Sequence, residues 1–343
     1  MRQVFEKMAS MSGLSQSDFR QFFAHASDLA PAEIGAVLGY LLGRIDSRDA
    51  AAMVSVVREI NPPHAIKIDG RPTVNMVGTG GGPSTFNITT TAAFVVAAAG
   101  VVVVKTGSNA CRSKAGFADV AAKLGTLKVT MPWDQIEAIV ADVGIVFVPP
   151  ASHALALGTL EYKLTAPVFR NVAAYMNKIG PLLAPVKVDH RCIGANSASC
   201  LEMLTGACRL LGDVPTTLFS ADDGLDEVSS MAPTRLIQLT ADGARQDDRL
   251  DPGSLGIQRP GLDALAGQEP AAAAECCERI LSGRGTPAQS DIVALNAAVV
   301  LTSMGLFANV SAGFEATTRL IQQGAALAKL HELRSRVWKC AKR

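Results

Sequence analysis

Four consecutive valines, Val101 to Val104, stand between two segments of helical pattern and lead directly into Lys105. An unbroken run of β-branched residues is typical of a strand that is buried on both faces, as strands of parallel sheets are. The segments around the run alternate in the same way between strand and helix. We predict strands over 73–77, 101–105, 145–148 and 216–219, and helices over 89–99, 117–124, 133–143, 199–211, 291–304 and 311–330, with no clear pattern over 241–290. This alternation predicts an α/β fold with a mainly parallel central sheet and flanking helices.

The first part of the chain has only helical patterns. Apolar residues from Ile34 to Ile45 recur at helical spacing after Pro31, and Ser47 is placed to cap the next helix. Residues 149–185 are interrupted by prolines and should return to this helical part. We expect a small all-α N-terminal domain over 1–68, completed by about 155–190, and a large α/β domain over 69–154 and 191–343.

Composition limits the partners and the compartment. The 343 residues carry 32 Lys and Arg against 31 Asp and Glu, a net charge of +1 that gives no electrostatic reason to expect nucleic acid or a membrane surface as partner. Seven cysteines without a CxxC pair are typical of reduced thiols in a cytoplasm. The N-terminus lacks the apolar stretch of a secretory signal, and the longest apolar run, 92–104, is too short to span a bilayer. We expect a soluble, cytoplasmic protein.

The segment VGTGGGPSTFNITT, residues 77–90, joins a predicted strand to a predicted helix. Glycines allow consecutive backbone N–H groups to turn toward an anion, and the N-terminus of the following helix adds its dipole. Asn87, Thr89 and Thr90 supply short polar side chains at that terminus. The segment favours a phosphate or diphosphate cradle, although it matches neither the GxxxxGK[ST] nor the GxGxxG pattern. A tight turn with capping threonines is the alternative.

The segment KTGSNACRSKAG, residues 105–116, also follows a buried strand. Lys105 stands at the carboxyl end of that strand, where open α/β sheets bind ligands. Arg112 and Lys114 are able to neutralise phosphates, and Ser113 to donate a hydrogen bond. The alternative is an exposed polar loop.

The segment DDGLDEVS, residues 222–229, places four acids within six residues after another strand. Adjacent carboxylates such as Asp226 and Glu227 suit Mg²⁺, which takes one or two carboxylates together with waters and substrate phosphates. A solvated acidic loop is the alternative. A phosphate cradle and an acidic pair on one sheet are together suited to a magnesium–diphosphate substrate.

These segments resemble those of one family. VGTGG…FNITT, KTGSNACRSKAGFADVAAKLG, NKIGPLLAP, DDGLDEVS and LNAAVVL occur here in the order of the matching motifs of the anthranilate phosphoribosyltransferases, which share their fold with the pyrimidine nucleoside phosphorylases. The resemblance covers nearly the whole chain.

The resemblance implies transfer of a phosphoribosyl group from phosphoribosyl diphosphate to the amine of anthranilate, with Mg²⁺ as cofactor. Lys105, Asp226 and Glu227 would be the catalytic residues, and Thr89 would join the two acids at the metal. Matching positions imply these binding residues for the donor: Gly78, Thr79, Gly80, Gly81, Asn87, Thr89, Thr90, Lys105 and Ser113. The resemblance also implies a homodimer formed through the helical domain, with the acceptor between the domains.

The chain departs from the family pattern mainly on the acceptor side. Gly82 replaces the acid of the family GTGGD segment, and the loop is one residue shorter. Thr106 and Ser108 stand where the family has His and Asn, and that Asn contacts anthranilate. The family Arg that pairs with the anthranilate carboxylate has no clear counterpart; Arg170 is the candidate substitute, and His153 the candidate match for a His near the acceptor.

Three functions remain open from the sequence. The first is a magnesium-dependent phosphoribosyltransferase acting on anthranilate or, given these departures, another small aromatic or heterocyclic acceptor, as in a paralogue of specialised metabolism rather than of tryptophan biosynthesis. The second is a nucleoside phosphorylase of the same fold, against which the acidic pair argues. The third is a non-enzymatic relative that binds nucleic acid or protein, which the missing acid favours and the near-neutral charge disfavours.

Overall fold

The computed structural model of the chain describes residues 1–66, 68, 70–107, 114–152, 160, 171–172 and 174–339. Its helices are α1 Arg2–Ala9, α2 Gln16–His25, α3 Pro31–Arg44, α4 Ser47–Ile60, α5 Ile88–Ala98, α6 Phe117–Lys123, α7 Trp133–Val143, α8 Ala174–Ile179, α9 Ala198–Leu211, α10 Pro270–Leu281, α11 Pro287–Ser303, α12 Val310–Gln322 and α13 Ala325–Lys339. Its strands are β1 His64–Ala65, β2 Thr73–Gly78, β3 Val102–Lys105, β4 Ile145–Phe147, β5 Val186–Lys187, β6 His190–Gly194, β7 Thr216–Ala221, β8 Thr234–Leu239 and β9 Arg245–Leu250. Among the described helices, none has both the length and the apolar character that a membrane crossing needs.

The central sheet has the strand order β4-β3-β2-β6-β7-β8-β9. Strands β4 to β7 in this order are parallel, and β8 and β9 continue the sheet in antiparallel pairing. The valine run forms β3 between two neighbours, and Val102, Val103 and Val104 have no exposed surface. The predicted α/β class with a mainly parallel sheet is therefore confirmed.

Most predicted elements agree with the structure to within two residues, but two local predictions are wrong and one region had none. The predicted helix over 311–330 is two helices, α12 and α13, because Gly324 adopts a left-handed φ of +73° and ends the first one. Asp46, and not Ser47, caps α4, because its carboxylate accepts from the N–H groups of Arg48 and Asp49. The unassigned region 241–290 contains β9 and α10.

Two apolar cores lie on opposite sides of the sheet. One surrounds α5 and fills the space between β3, β4 and the C-terminal helices. The other joins α2, α3 and α4 to α9 and to the side chains of Ile193, Leu218 and Ile237, which project from β6, β7 and β8. The N-terminal helices thus share a core with one face of the sheet through α9. The division into domains at residue 68 stays a prediction.

An ion cluster fastens the helical part to the sheet. Arg191 on β6 donates to both carboxylate oxygens of Asp213 at 2.9 and 2.7 Å, and Arg58 on α4 donates to the same carboxylate at 2.7 Å. Arg58 also donates to the carbonyl of Leu182 at 2.9 Å. Burial acts to raise the pKa of the Asp213 carboxyl, but the hydrogen bonds and charges of the two arginines outweigh it and lower the pKa to about 2.

Substitution Asp213→Asn should destabilise the protein, because it leaves Arg58 and Arg191 close together without their counter-ion. We expect the free energy of unfolding to fall by about 2 kcal/mol, less than for a fully buried pair because a third of this side chain is exposed. Urea unfolding checks this. Glu6→Gln, which breaks the exposed Arg2–Glu6 pair, is the control and should change stability by less than about 0.5 kcal/mol.

The pH dependence separates the ion cluster from a packing effect. Since the carboxyl pKa is lower in the folded chain than its usual 3.8, its stabilisation is present above about pH 4 and is lost as the pH falls through about 2. The difference in unfolding free energy between wild type and Asp213→Asn should be constant near neutral pH and shrink below about pH 4. A difference that persists unchanged in acid would contradict the electrostatic explanation.

Candidate active site

Three neighbouring parallel strands, β2, β6 and β7, end at the same edge of the sheet. The glycine loop, defined here as residues 79–82, follows β2. The loop containing Asn196 follows β6, and the acidic loop, residues 222–229, follows β7. The structure thus brings together the glycine and acidic segments that the sequence singled out, at the edge where α/β proteins bind ligands.

Three glycines allow the acidic loop to pack directly against the sheet. A Cβ on Gly194 would lie 1.7 Å from the carbonyl oxygen of Asp226, and one on Gly78 would lie 2.0 Å from its Oδ2. A Cβ on Gly82 would lie 2.3 Å from the carbonyl oxygen of Gly224. Gly78 is thus needed to admit the acidic loop, and its predicted contact with a diphosphate stays a prediction. A side chain at position 82, where the family has an acid, would likewise overlap with the acidic loop in this structure.

The remaining glycines shape the outer part of the loop. Gly80 and Gly81 have φ of +66° and +84°, in the left-handed region, and both are exposed. The N–H of Gly80 donates to Oδ2 of Asp226 at 2.6 Å. The N–H of Thr79 donates to the carbonyl of Gly194 at 2.9 Å, and its side chain is 3% exposed. The loop is thus held between β6 and the acidic loop.

The four acids of the acidic loop have different surroundings. Asp222 pairs with Arg249 on β9, and Asp223 accepts from the hydroxyl of Ser229 at 2.6 Å. Asp226 contacts the glycine loop, and the Thr89 hydroxyl at the start of α5 acts to lower the pKa of the adjacent Glu227, against the larger effect of burial. Sequence reasoning selected the last two of the four, and these two are the ones in the candidate site.

The charges of the site are partly withdrawn from water. Burial, reinforced for Glu227 by the neighbouring Asp226 carboxylate, raises the pKa of both acids. Burial also lowers the pKa of Lys105 to about 7, against the opposing charges of Glu227 and Asp226. The ammonium of Lys105 donates to the carbonyl of Met76 at 2.7 Å and lies 5.2 Å from the centre of the Phe117 ring. Titratable groups with such shifts in one place are typical of functional sites.

The residues at the start of α5 offer further polar groups. The side chain of Asn87 makes no capping bond and is partly exposed, whereas its carbonyl accepts from Thr91. Thr89 is partly exposed, and Thr90 is buried at 3% exposure. Asn87 and Thr89 are therefore accessible beside the glycine loop. Four predicted site residues lie outside the described residues: Ser108, Ser113, His153 and Arg170.

Thr106, at a position where the family has His, is committed to an internal contact. Its hydroxyl accepts from the side-chain amide of Asn75 at 2.8 Å, and its N–H donates to the same amide's oxygen at 3.2 Å. Both residues are buried. Thr106 therefore links β2 to the end of β3, and its buried hydroxyl does not face an acceptor substrate.

Sequence reasoning missed two asparagines. Asn296 in α11 accepts from the N–H of Val228 at 3.0 Å and donates to its carbonyl at 2.8 Å, which anchors the acidic loop. Asn196 contacts the glycine loop, where its amide donates to the carbonyl of Gly80 at 2.8 Å. Signals for both were present: an asparagine within the apolar run LNAAVVL, and a polar residue directly after a buried strand.

The donor set of the site is compatible with Mg²⁺. Within the described part of the chain, no three His, Cys, Asp or Glu side chains converge as a closed metal cage. The carboxylates of Asp226 and Glu227 and the hydroxyl of Thr89 offer oxygen atoms to a metal ion. A neighbouring cation would favour the ionised form of the two acids, whose pKa values burial raises. Mg²⁺ typically uses one or two carboxylates and takes its other ligands from water and phosphate.

Comparison with known proteins identifies the class of protein to which this chain belongs. Residues 70–327 match the family model described as "Glycosyl transferase family, a/b domain". The chain is 34% identical over 330 residues to the anthranilate phosphoribosyltransferase of Parasynechococcus marenigrum strain WH8102, covering 95% of this chain and 91% of that protein. It is 32% identical over 341 residues to that of Methylocella silvestris, covering 97% and 94%.

Solved structures agree with this assignment. The anthranilate phosphoribosyltransferase of Thermus thermophilus superposes with a TM-score of 0.83 at 26% identity, covering 97% of this chain and 99% of that chain. The Saccharomyces cerevisiae enzyme, whose structure is a complex with phosphoribosyl diphosphate and Mg, shares the fold with a TM-score of 0.85 at 21% identity, covering 98% of both chains. The chain is therefore a glycosyltransferase. It belongs to the anthranilate phosphoribosyltransferase family.

Substitution Gly194→Ala should disrupt the acidic loop, because the new methyl group would meet a backbone carbonyl at 1.7 Å that no side-chain rotation relieves. We expect a loss of more than about 3 kcal/mol in unfolding free energy. Gly43→Ala in α3 is the control, since nothing lies within 4 Å of its Cβ, and it should stabilise the protein by about 0.5–1 kcal/mol. Denaturant unfolding measures both, and equal stability of the two variants would contradict the steric account.

Proposed function

We propose that the chain is a Mg²⁺-dependent phosphoribosyltransferase that moves the 5-phosphoribosyl group of phosphoribosyl diphosphate to anthranilate or a related small aromatic or heterocyclic amine, releasing diphosphate. The observation that carries the proposal is the contact between the glycine loop and Asp226 at the carboxyl ends of β2 and β7. This contact joins a backbone suited to anionic oxygen to a carboxylate pair suited to the metal. Membership of the family supports the same function.

The glycine loop and α5 would bind the diphosphate of the donor. Exposed Gly80 and Gly81 allow close approach of a phosphate to the backbone, and Asn87 has a side chain without a capping partner. The adjacent N-terminus of α5 carries a partial positive charge. Gly78, Thr79 and Thr90 are less accessible, so we assign them to shaping this cradle rather than to direct contact.

Asp226, Glu227 and Thr89 would hold Mg²⁺. Asp226 accepts from the N–H of Gly80 through Oδ2, and a carboxylate has further lone pairs with which it would bind a metal. The ion, when bound, would offset the negative charge that develops on the leaving diphosphate. Lys105 would supply a second positive charge. An anionic ligand nearby would raise its pKa above about 7 and so favour the protonated form.

The reaction needs positioning more than a protein nucleophile. The bond between the anomeric carbon and diphosphate breaks, the amine nitrogen of the acceptor forms the new bond, and the nitrogen then loses a proton. Holding the two reactants in line is a large part of such catalysis. Fixed donors aimed at the leaving diphosphate supply electrostatic stabilisation. Ser108, Ser113, His153 and Arg170 stay predicted contacts, the first and the last two for the acceptor.

The oligomeric state and the cellular compartment of the protein are also proposals. We propose a homodimer through the helical domain, by analogy with the family, with the acceptor between that domain and the α/β domain. We also propose a cytoplasmic location, which fits the free thiols of Cys192, Cys200, Cys208, Cys276 and Cys277. Size-exclusion chromatography with light scattering tests the dimer.

Calorimetric titration with phosphoribosyl diphosphate, with and without Mg²⁺, tests the donor site. We expect Mg²⁺-dependent binding by the wild type and a loss of about tenfold or more in affinity for Asp226→Asn/Glu227→Gln. Asp222→Asn is the matched control in the same loop, since its carboxylate pairs with Arg249, and it should bind like the wild type. Equal binding by the double variant would remove the metal role, and binding of inorganic phosphate and a nucleoside instead of the donor would favour the phosphorylase alternative.

A further inference from the structure

Asn196 lies where three parts of the chain meet. It follows β6, and its side-chain nitrogen donates to the carbonyl of Gly80 at 2.8 Å. Its backbone N–H donates to the hydroxyl of Thr79 at 3.3 Å. The ammonium of Lys178, on α8 of the helical part, donates to its side-chain oxygen at 3.4 Å. A single amide thus connects the helical part, the sheet and the glycine loop.

The two neighbours of the amide leave it only one orientation. A lysine ammonium has only donors, and a backbone carbonyl has only acceptor sites. Turning the amide over would place its NH₂ against the ammonium of Lys178 and its oxygen against the oxygen of Gly80. The hydrogen bond from the ammonium of Lys178 to the oxygen of Asn196 thus favours the observed orientation.

In the peptide between Gly80 and Gly81, the carbonyl is hydrogen-bonded, whereas the N–H has no acceptor among the described residues. Asn196 holds the carbonyl of Gly80, while Oδ2 of Asp226 accepts from the preceding N–H. In a trans peptide the C=O and the following N–H point in opposite directions, and the described chain has no cis peptide. The N–H of Gly81 therefore points away from Asn196, and it donates to no acceptor among the described residues.

The same amide also lies beside the backbone of Gly81. Its φ of +84° is a conformation that glycine adopts readily, and a Cβ there would lie 2.8 Å from the side-chain nitrogen of Asn196. Gly81 itself is exposed. The N–H of Gly81 thus lies on an exposed residue and donates to no acceptor among the described residues. The amide of Asn196, on the other side of the peptide, sets its orientation.

We propose that Asn196, oriented by Lys178, is a positioning residue that aims the N–H of Gly81 at the diphosphate of the donor. The inference rests on the proposed function and extends it to residues outside the predicted donor site. It also makes donor affinity depend on the helical part, because Lys178 belongs to α8. A change in the position of α8 would be transmitted to the glycine loop through one side chain.

Asn196→Leu keeps the approximate volume of the side chain and removes both polar atoms. We expect the dissociation constant for phosphoribosyl diphosphate, measured by calorimetry with Mg²⁺, to rise roughly five- to tenfold. The KM for anthranilate should stay within about twofold, because the acceptor does not use this contact. Hydrogen exchange of the peptide covering 77–86 in the ligand-free protein should become faster, since the loop loses its restraint.

Three further variants separate positioning from damage to the structure. Ser199→Ala, at the start of α9 close to Asn196 in sequence, loses only a contact with Ser197 and should leave donor affinity unchanged. Asn196→Gln retains the amide and should recover part of the affinity. Lys178→Met should weaken binding by roughly two- to threefold, and combining it with Asn196→Leu should add no further loss, because both act through one contact.

The outcomes distinguish the inference from the function on which it rests. Wild-type affinity for the donor in Asn196→Leu would overturn the inference and leave the proposed function standing. The same holds if Ser199→Ala loses affinity equally, or if donor and acceptor constants change together. A wild-type chain that binds neither phosphoribosyl diphosphate nor inorganic diphosphate with Mg²⁺ would overturn the proposed function, and the inference with it.

Discussion

The candidate site depends on the close packing of the acidic loop against the ends of β2 and β6. Side chains at Gly78, Gly82 or Gly194 would overlap with the backbone or carboxylate of residues 224–226. Because these three positions lack a Cβ, Asp226 approaches near enough to accept from the N–H of Gly80. Asn296 holds the same loop from the opposite side through the backbone of Val228. The position of the two carboxylates thus follows from steric fit.

The packing of the acidic loop also shifts the pKa values of the charged residues in the site. Burial raises the pKa of Asp226 and Glu227 and lowers that of Lys105, so charged forms of both signs are disfavoured in the same small volume. A cation beside the acids and an anion beside the lysine would each restore the charged form. A magnesium–diphosphate substrate brings both. The burial that costs free energy in the protein alone therefore favours a ligand of this composition.

The sequence alone predicted much of this structure, because its strongest signals are local. The valine run of β3 and the helix α7 follow from residue type and periodicity, as does the alternation of strand and helix from β2 to β4, whereas β6 and β8 were not predicted. The break at Gly324 and the antiparallel β9 were missed, since a glycine within a periodic apolar pattern and a strand of charged residues carry weak local signals. β9 is an edge strand in which Asp247 pairs with Arg245 of the same strand and with Arg235 of β8, and the alternation of apolar residues does not reveal such a strand.

For the site, the sequence predicted which segments matter but not how they contact each other. Asp226, Glu227 and Lys105 were identified from their places after strands. The partners of the other two acids, Arg249 for Asp222 and Ser229 for Asp223, were not predicted, because they are distant in sequence or ordinary in type. The reason for Gly78, and the internal role of Thr106, required the packing of neighbouring strands. Contacts between distant segments are therefore the part that residue patterns did not supply.

The most direct test of the account is the transfer reaction itself. The chain would be incubated with phosphoribosyl diphosphate, Mg²⁺ and anthranilate, and the diphosphate released would be counted against the anthranilate consumed. The account predicts release and consumption in equal amounts, with no release when the acceptor or Mg²⁺ is withheld. Binding of the donor without any transfer to anthranilate or to other small aromatic amines would contradict it.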